Sequence, residues 1–295
     1  MASVTARVIS YVMGKTGFFR RLPTDMSDFA GFQAKQLNSA NGPSIKNHRS
    51  CLIEESAFLG RTIWTLSPNN QAAKVFVLYW HGGAYIYPPT SAHWDFLARM
   101  TAMYGWHITV PLYPLAPHST MEYTTDFALN FMRYWMAQPI TGQRIVAGDS
   151  AGGGLAAATL IAARNNGVTM PSKAILISPW LKLIPNHPDQ REIEPHDAIL
   201  SIKGLRAAGD MYIGEMGSND LRANPLQDDW SNLPPLLVFG GGNDILVTDT
   251  RTLKSNLPDI IYEEHEDMMH DWPILFFPES RKAQEEMANF ATKAL

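Results

Sequence analysis

Residues 144–154 read RIVAGDSAGGG, an apolar run that ends in a serine surrounded by small residues. Glycine loses more backbone entropy on folding than any other residue, so the four glycines around Ser150 indicate a specific backbone requirement. The pattern G-x-S-x-G, from Gly148 to Gly152, is typical of a sharp strand-to-helix turn that exposes a nucleophilic serine at the edge of a sheet. An ordinary glycine-rich turn is the alternative. The strand-like run before Ser150 and the helix-like run after it favour the nucleophile.

Short apolar runs alternate with longer helix-like segments from about residue 73 onward. Each run is rich in Val, Ile, Leu and aromatic residues and is bounded by Gly or Pro, as is typical of buried parallel strands. The predicted strands are AKVFVLYW (73–80), WHITVPLY (106–113), QRIVAGDS (143–150), SKAILISP (172–179), PPLLVFGGG (234–242) and PDIIYEEH (258–265). Helices are expected between them, at 91–105 and 154–167 for example. This alternation predicts an α/β fold, with a mostly parallel central sheet flanked by helices.

Two stretches, residues 1–50 and 181–232, interrupt the alternation. The second separates two predicted core strands by far more than a usual connection, and so long an insertion commonly forms a lid or a binding loop. We therefore interpret the 295 residues as a single domain with a catalytic core at about 51–180 and 233–295. The two interrupting stretches are expected to form a helical cap over the carboxyl edge of the sheet, where open α/β sheets bind ligands.

The composition limits the partners that the protein can have. A net charge of −4 and the lack of a basic cluster with interleaved aromatics argue against nucleic acid. No run approaches the roughly 18 apolar residues of a membrane span, so integral membrane association is not expected. Val4, Val8 and Val12 predict an amphipathic helix, which either covers the protein itself or touches a membrane surface. The single cysteine, Cys51, fits the cytoplasm, and a homodimer is compatible with the sequence.

A nucleophilic serine needs a base to take its proton and a carboxylate to orient that base. In this architecture the partners follow in chain order Ser, then Asp or Glu, then His. Asp244 follows the predicted strand at 234–242, and Asp249 is the fallback if Asp244 only caps the next helix. The histidines after Asp244 are His265 and His270. We prefer His270 because it lies further beyond the last predicted strand, where a loop can reach the edge of the sheet.

The run YWHGGAYIYPP, residues 79–89, provides a candidate oxyanion hole after another predicted strand. Adjacent glycines expose backbone amides that can meet the charge developing on a carbonyl oxygen. We expect the donors to be the amides of Gly82, Gly83 and Ala151. His81 is expected to be structural.

Three apolar side chains flank the proposed site and are candidates for substrate binding: Tyr85, Met269 and Trp272. Ordinary core positions are the alternative for each of them. The spacing of His265 and His270 does not match the H-E-x-x-H pattern of zinc sites, and the sequence shows no other ligand cluster. A metal site is therefore not expected.

Several motifs together resemble those of the hormone-sensitive-lipase-like esterases, a family of the α/β-hydrolase superfamily. They are HGGAY (81–85), YPLAPH (113–118), GDSAGG (148–153), SPW (178–180) and the pair Asp244 and His270. The resemblance implies an α/β-hydrolase fold, hydrolysis of acyl esters without a cofactor, and a contribution of the N-terminal residues to a cap. Three departures matter. Ala84 replaces the third glycine of HGGG, and Pro114 and His118 replace the arginine and the glutamate of the usual YRLAPE. Asp271-Trp272 replaces the Gly-Phe that commonly follows the histidine.

These observations predict a serine carboxylesterase that hydrolyses short- to medium-chain acyl esters of small molecules through an acyl-enzyme. Its activity should fall as His270 becomes protonated, near about pH 6. An amidase, formamidase or lactonase with the same triad is the alternative within the enzymes. A non-catalytic protein that uses this fold to bind a small molecule is the alternative from another class.

Overall fold

The computed structural model describes residues 2–16, 42–69 and 71–293. Its sheet contains β1 (Leu52–Phe58), β2 (Arg61–Ser67), β3 (Val75–Trp80), β4 (Trp106–Pro111), β5 (Gln143–Asp149), β6 (Lys173–Ile177), β7 (Leu236–Gly241) and β8 (Ile261–His265). The α-helices of the described residues are α1 (Val4–Thr16), α2 (Ile45–Ser50), α3 (Ser91–Tyr104), α4 (Met121–Met136), α5 (Ser150–Asn165), α6 (Gln190–Ile193), α7 (Ile202–Ile213), α8 (Val247–Asn256) and α9 (Pro278–Thr292).

The eight strands lie side by side in the order β1-β2-β4-β3-β5-β6-β7-β8. The pairs β1–β2 and β2–β4 are antiparallel, and every pair from β4 to β8 is parallel. All six predicted strands are present as β3 to β8. The mostly parallel sheet flanked by helices confirms the predicted fold class.

The central strands are apolar along their whole length because helices cover the sheet. In β3, Val77 and Leu78 point to opposite faces, yet both are fully buried. A strand buried on both faces has a continuous rather than an alternating apolar pattern. The parallel strands could be predicted from the sequence because of this pattern.

The antiparallel hairpin of β1 and β2 was not predicted. Most of β1 is exposed, so its sequence lacks the continuous apolar run of the other strands. The two strands are joined by Leu59 and Gly60, which have φ of 48° and 74°. Two residues with positive φ are typical of the tight turns that join antiparallel strands. The dipeptide Leu-Gly is a weak sign of such a turn.

The carboxyl ends of the parallel strands meet at one edge of the sheet and bring the candidate motifs together. In the register of β3 and β5, Trp80 lies opposite Gly148. The loop that begins at His81-Gly82-Gly83 (the HGG loop) and the turn at Ser150 (the serine turn) therefore leave the sheet side by side. Asp244 follows β7 and His270 follows β8. The topology therefore gathers four distant segments of the chain at one place.

The two stretches expected to form the cap meet near this edge. Between residues 181 and 232 the chain forms α6, α7 and short 3₁₀ turns. A Cβ added at Gly14 of α1 would lie 3.8 Å from Ala198, in ordinary contact. Residues 17–41 of the expected cap lie outside the described residues, and the cap assignment stays a prediction.

The N-terminal helix covers part of the protein, but not through its valine stripe. Ala6 is buried, and Ile9 and Met13 pack against the core. Val4 and Val8 are 67% and 55% exposed, and Val12 is exposed as well. Within the described ranges, no helix combines the length and the apolar character needed to cross a membrane.

Candidate active site

Ser150 lies at the junction of β5 and α5, with a φ of 51°. A positive φ is strained for a serine and persists only where the surrounding structure imposes it. The neighbouring glycines show what imposes it. A Cβ at Gly148 would lie less than 3.0 Å from the Gly152 carbonyl oxygen, and one at Gly152 would lie as close to the Trp80 carbonyl oxygen. The backbone contacts of the turn thus account for the motif.

Asp244 and His270 form a buried pair at the same edge. Nδ1 of His270 is 2.9 Å from Oδ2 of Asp244, and the N–H of Leu246 donates to Oδ1 at 2.8 Å. Both side chains are almost wholly buried. A carboxylate can only accept, so Nδ1 of His270 carries a hydrogen. Asp244 therefore fixes the tautomer of the histidine, as an orienting carboxylate does.

The structure places both fallback residues elsewhere. Oδ2 of Asp249 accepts a hydrogen bond from the backbone N–H of Lys182 at 3.0 Å. The ring of His265 packs against Trp272, with 4.5 Å between the ring centres. Neither residue takes part in the pair of Asp244 and His270.

The second nitrogen of His270 has a carboxylate partner as well. Nε2 is 3.1 Å from Oδ2 of Asp271. Ser150 lines the same cavity as His270 and Asp271, yet its hydroxyl has no hydrogen-bond partner within the described part of the chain. Asp244 and His270 are therefore joined directly, whereas Ser150 shares the cavity of His270 without a hydrogen bond to it within the described residues.

The two carboxylates change the acidity of the histidine. Burial by itself disfavours the imidazolium of His270, but the charges of Asp244 and Asp271 outweigh burial and raise the pKa of His270 well above its usual value. Burial also raises the pKa of the Asp271 carboxyl to about 7, against the opposing effect of His270. A base of raised pKa becomes protonated at a higher pH. The expected acid limit of activity therefore moves above the value of about pH 6 inferred from an ordinary histidine.

The HGG loop is tied to the serine turn through Asp149. Oδ1 of this buried carboxylate accepts a hydrogen bond from the backbone N–H of Gly82 at 3.0 Å, so a predicted oxyanion donor already has an acceptor.

Gly83 and Ala84 line the cavity with Ser150. Within the described ranges their N–H groups meet no protein acceptor. Ala151 lies in the first turn of α5, where the N–H groups have no intrahelical partner. Among the described residues, the amides of Gly83, Ala84 and Ala151 thus have no acceptor, whereas the sequence predicted Gly82 and Gly83 as the donors from the loop.

Asp149 is held by two further side chains that sequence reasoning missed. The Tyr79 hydroxyl donates to Oδ1 at 2.5 Å, and Nε2 of His93 lies 3.0 Å from Oδ2. Thr90 donates its backbone N–H to Nδ1 of His93 at 3.0 Å, so Nε2 carries the hydrogen that Asp149 accepts. Burial raises the pKa of Asp149, but His93 and the other donors outweigh it and lower the pKa. This network holds the two loops of the site in register.

His81 fits its expected structural role. Its Nδ1 is 2.7 Å from the Gly82 carbonyl oxygen, and its ring stacks on Tyr113 with 4.3 Å between the ring centres. Burial lowers the pKa of His81 to about 3. The imidazole is therefore neutral at physiological pH.

A cavity of about 100 Å³ joins the candidate nucleophile and base. Its apolar wall comes from α1, from the segment before and within α7, and from the loop after His270. The residues are Met13, Ile199, Leu200, Leu205, Ile274 and Leu275. Most of this wall lies outside the segments that carry the motifs.

The three predicted substrate-binding residues lie in the core rather than on this wall. Tyr85 stacks on Tyr212 with 3.7 Å between the ring centres, and Met269 is buried. Trp272 is fully buried and donates its indole N–H to the Gly240 carbonyl at 3.1 Å. The structure therefore places these three residues in the core beside the site, and substrate binding by them stays a prediction.

Asp197 is a further residue near the site that sequence reasoning missed. Its Oδ1 accepts from the N–H groups of Ile199 and Leu200 at 2.8 Å, and its Oδ2 accepts from the N–H of Ile245 at 2.9 Å. It thereby joins the segment that walls the cavity to the turn that carries Asp244. No motif marks it. Burial and the charge of Asp244 raise the pKa of Asp197 to about 6.

Among the residues that the structure describes, no group of three His, Cys, Asp or Glu side chains could hold a metal ion. The site is instead made of carboxylates paired with histidines.

Comparison with known proteins identifies the family. A family model described as the alpha/beta hydrolase fold matches residues 77–274. An acetyl-hydrolase from Streptomyces hygroscopicus is 30% identical over 228 residues, which are 74% of this chain and 75% of the relative. An esterase from Acinetobacter venetianus is 30% identical over 232 residues, which are 75% of this chain and 76% of the relative. The chain belongs to the α/β-hydrolase fold family.

Solved structures agree with this fold. An esterase of the bacterial hormone-sensitive lipase family superposes with a TM-score of 0.84 at 23% identity, over 99% of this chain and 98% of that chain. An esterase/lipase from an uncultured bacterium gives a TM-score of 0.84 at 22% identity, over 98% of both chains. The chain thus shares its fold with an esterase of the family that its motifs resemble, and the sequence relatives support a hydrolase of the carboxylesterase type.

Proposed function

We propose that this protein is a serine-dependent carboxylesterase that forms an acyl-enzyme on Ser150. The observation that supports this most strongly is the buried pair of Asp244 and His270, of which His270 lines the same small cavity as Ser150. Ser150 is held in a left-handed conformation with φ of 51°, and His270 lines the same cavity.

In the proposed reaction, His270 accepts the proton of Ser150 at Nε2 while the serine oxygen attacks the ester carbonyl. Asp244 stabilises the resulting imidazolium through Nδ1. His270 then gives the proton to the departing alcohol, and the acyl group stays on Ser150. A water molecule, deprotonated by His270, hydrolyses the acyl-enzyme by the same steps and restores the serine.

The oxyanion formed in each step is proposed to lie among the amides of Gly83, Ala84 and Ala151. Gly82 takes a different role because its amide hydrogen bond to Asp149 fixes the loop. Each preorganised donor of this kind typically stabilises the transition state by about 2.7–4 kcal/mol. Ala84 supports this arrangement because its φ of 56° keeps a glycine-like backbone in the position where the family has glycine.

The cavity supports a preference for short acyl chains. Its volume of about 100 Å³ is well below the roughly 300–1,000 Å³ of pockets for drug-sized ligands. We propose that α1 and the 181–232 segment roof the acyl group through Met13 and Leu205. The medium-chain substrates of the initial prediction would require this roof to move.

Hydrolysis of p-nitrophenyl esters from acetate to laurate tests the proposal. We expect turnover to peak at acetate to butyrate and to fall for longer chains. The Ser150→Ala variant should lose on the order of 10⁶-fold in kcat while its circular dichroism spectrum and urea midpoint match the wild type. Activity that survives in folded Ser150→Ala would refute the nucleophile. Hydrolysis of anilides or lactones, with no hydrolysis of simple esters, would favour the amidase or lactonase alternative.

A further inference from the structure

Asp271 occupies the position where the base must meet the nucleophile. Its Oδ2 lies 3.1 Å from Nε2 of His270, on the side of the ring opposite Asp244. The backbone of Asp271 is left-handed, with φ of 53°, and its N–H donates to the Ser178 hydroxyl at 3.2 Å. A strained and anchored backbone therefore directs this carboxylate to the catalytic face of the imidazole.

The contact between Nε2 and Oδ2 requires a proton. Nδ1 of His270 already carries a hydrogen, because Asp244 accepts there, so a neutral His270 presents a lone pair at Nε2. An ionised Asp271 would present another lone pair to it at 3.1 Å. The approach is favourable only when one proton lies between the two atoms, and its apparent pKa belongs to the pair rather than to either group.

We propose that Asp271 is a positioning residue that holds Nε2 of His270 in the resting enzyme, and that loss of the shared proton to solvent releases Nε2 to Ser150. This inference rests on the proposed function. After the proton leaves, the carboxylate and the imidazole lone pair repel each other, and Asp271 can turn into the cavity that it lines. The Ser150 hydroxyl can then donate to Nε2, which starts the acylation step.

Charged groups from every neighbouring element bear on this proton. Asp244 after β7 favours the protonated His270. Asp197, before α7, interacts with both members of that pair. Asp149, at the end of β5, raises the pKa of Asp271.

His93 of α3 also interacts with both His270 and Asp271. Its Nδ1 accepts the Thr90 N–H, so its ring carries a hydrogen only at Nε2 and is neutral. That hydrogen is donated to Asp149, and the ring adds no positive charge to offset the carboxylates. The resting state of the site therefore retains the shared proton to a higher pH than an isolated histidine would.

Two substitutions separate the charge of Asp271 from its contact with His270. Asp271→Asn removes the charge, and asparagine tolerates a left-handed backbone. Asp271→Gly removes the whole side chain and suits the φ of 53°. Glu266→Gln is the matched control, because it removes one carboxylate from an exposed position of the same loop.

The first readout is kcat/KM for p-nitrophenyl acetate between pH 5 and 9. We expect the acid limb of both Asp271 variants to lie roughly one pH unit or more below that of the wild type, which corresponds to about a tenfold gain relative to wild type at pH 6. The Asp271→Gly variant should gain more than Asp271→Asn, because the amide still contacts Nε2. The Glu266→Gln profile should match the wild type. Variants that change kcat equally at all pH values would overturn the proposal.

The second readout does not depend on activity or on the Asp271 variants. Nitrogen-15 NMR of the histidine rings, with His270 assigned through His270→Asn, reports whether both ring nitrogens are protonated. We expect a doubly protonated His270 at pH 7 in the wild type. A His270 that loses its proton at about pH 6.5, the value of an ordinary histidine, would overturn the proposal. A raised value in a wild type that hydrolyses no ester would support the shared proton and refute the esterase.

Discussion

Two turns at the carboxyl edge of the sheet contain a residue with a left-handed backbone, and different contacts hold each of them. Ser150 in the turn after β5 and Asp271 in the loop after β8 both have left-handed backbones, with φ of 51° and 53°. Around Ser150, backbone atoms of neighbouring segments leave no room for a Cβ at Gly148 or Gly152. Around Asp271, the neighbours are side chains, His270 and Ser178. Strain enforced by backbone packing leaves a glycine motif in the sequence, whereas strain held by side-chain contacts leaves none.

After loss of the nucleophile, the largest expected effect concerns Asp244, the carboxylate bonded to Nδ1 of His270. Asp244→Asn should lower kcat for p-nitrophenyl butyrate by about 10⁴-fold, because an amide at this position favours the wrong tautomer of the base. Steady-state kinetics at pH 8 measures the effect. Asp249→Asn is the matched control, since this buried carboxylate contacts the Lys182 backbone instead of His270.

Equal losses in both aspartate variants would indicate a general effect of removing a buried carboxylate. A loss confined to Asp249→Asn would show that the acid was assigned to the wrong residue. Thermal unfolding of both proteins should accompany the kinetics, so that activity is compared between folded samples.

The next effect concerns the backbone packing of the serine turn. A Cβ at Gly152 would lie within 3.0 Å of the carbonyl oxygens of Trp80 and His81, so Gly152→Ala should destabilise the protein by about 1–3 kcal/mol. Urea denaturation measures the change in the free energy of unfolding. Gly14→Ala, in α1, is the control because its Cβ would meet Ala198 at an ordinary 3.8 Å. It should be neutral or stabilising by about 0.5–1 kcal/mol. A Gly152→Ala protein as stable as the wild type would remove the packing explanation of the motif.

The smallest effect concerns the HGG loop. Ala84 has a φ of 56°, so Ala84→Gly relieves left-handed strain while its amide is kept. We expect kcat to be preserved and the free energy of unfolding to change by less than about 1 kcal/mol. Gly83→Ala is the contrasting variant, because a Cβ there would collide with the Tyr87 carbonyl oxygen. Activity lost in Ala84→Gly but retained in Gly83→Ala would contradict the proposed donors.

The features that the sequence predicted are those that burial or backbone packing marks with a residue pattern. The six parallel strands were visible because both faces are buried, and the serine turn was visible because its glycines are sterically required. The β1–β2 hairpin was not, since most of β1 is exposed and the Leu59-Gly60 turn is an unusual dipeptide. Chain order and elimination selected Asp244 and His270, and the structure brings them together.

The parts that sequence reasoning missed depend on contacts between distant segments. Asp149 stands inside the motif, yet its bonds to His93 and Gly82 are set by where two loops meet. Tyr85 and Trp272 were placed at the site by proximity in sequence, but their large rings fill the core. The cavity wall comes from Met13 and the region around Ile199, which carry no motif.

The most direct test of the central claim is to locate the covalent intermediate. The wild-type protein would be inactivated with a p-nitrophenyl alkylphosphonate and mapped by peptide mass spectrometry, alongside Ser150→Ala. We expect one phosphonyl group per chain, on the peptide that contains Ser150, and none in the variant. Ester hydrolysis accompanied by modification of a different residue, or by the same modification in Ser150→Ala, would contradict the assignment of Ser150 as the nucleophile.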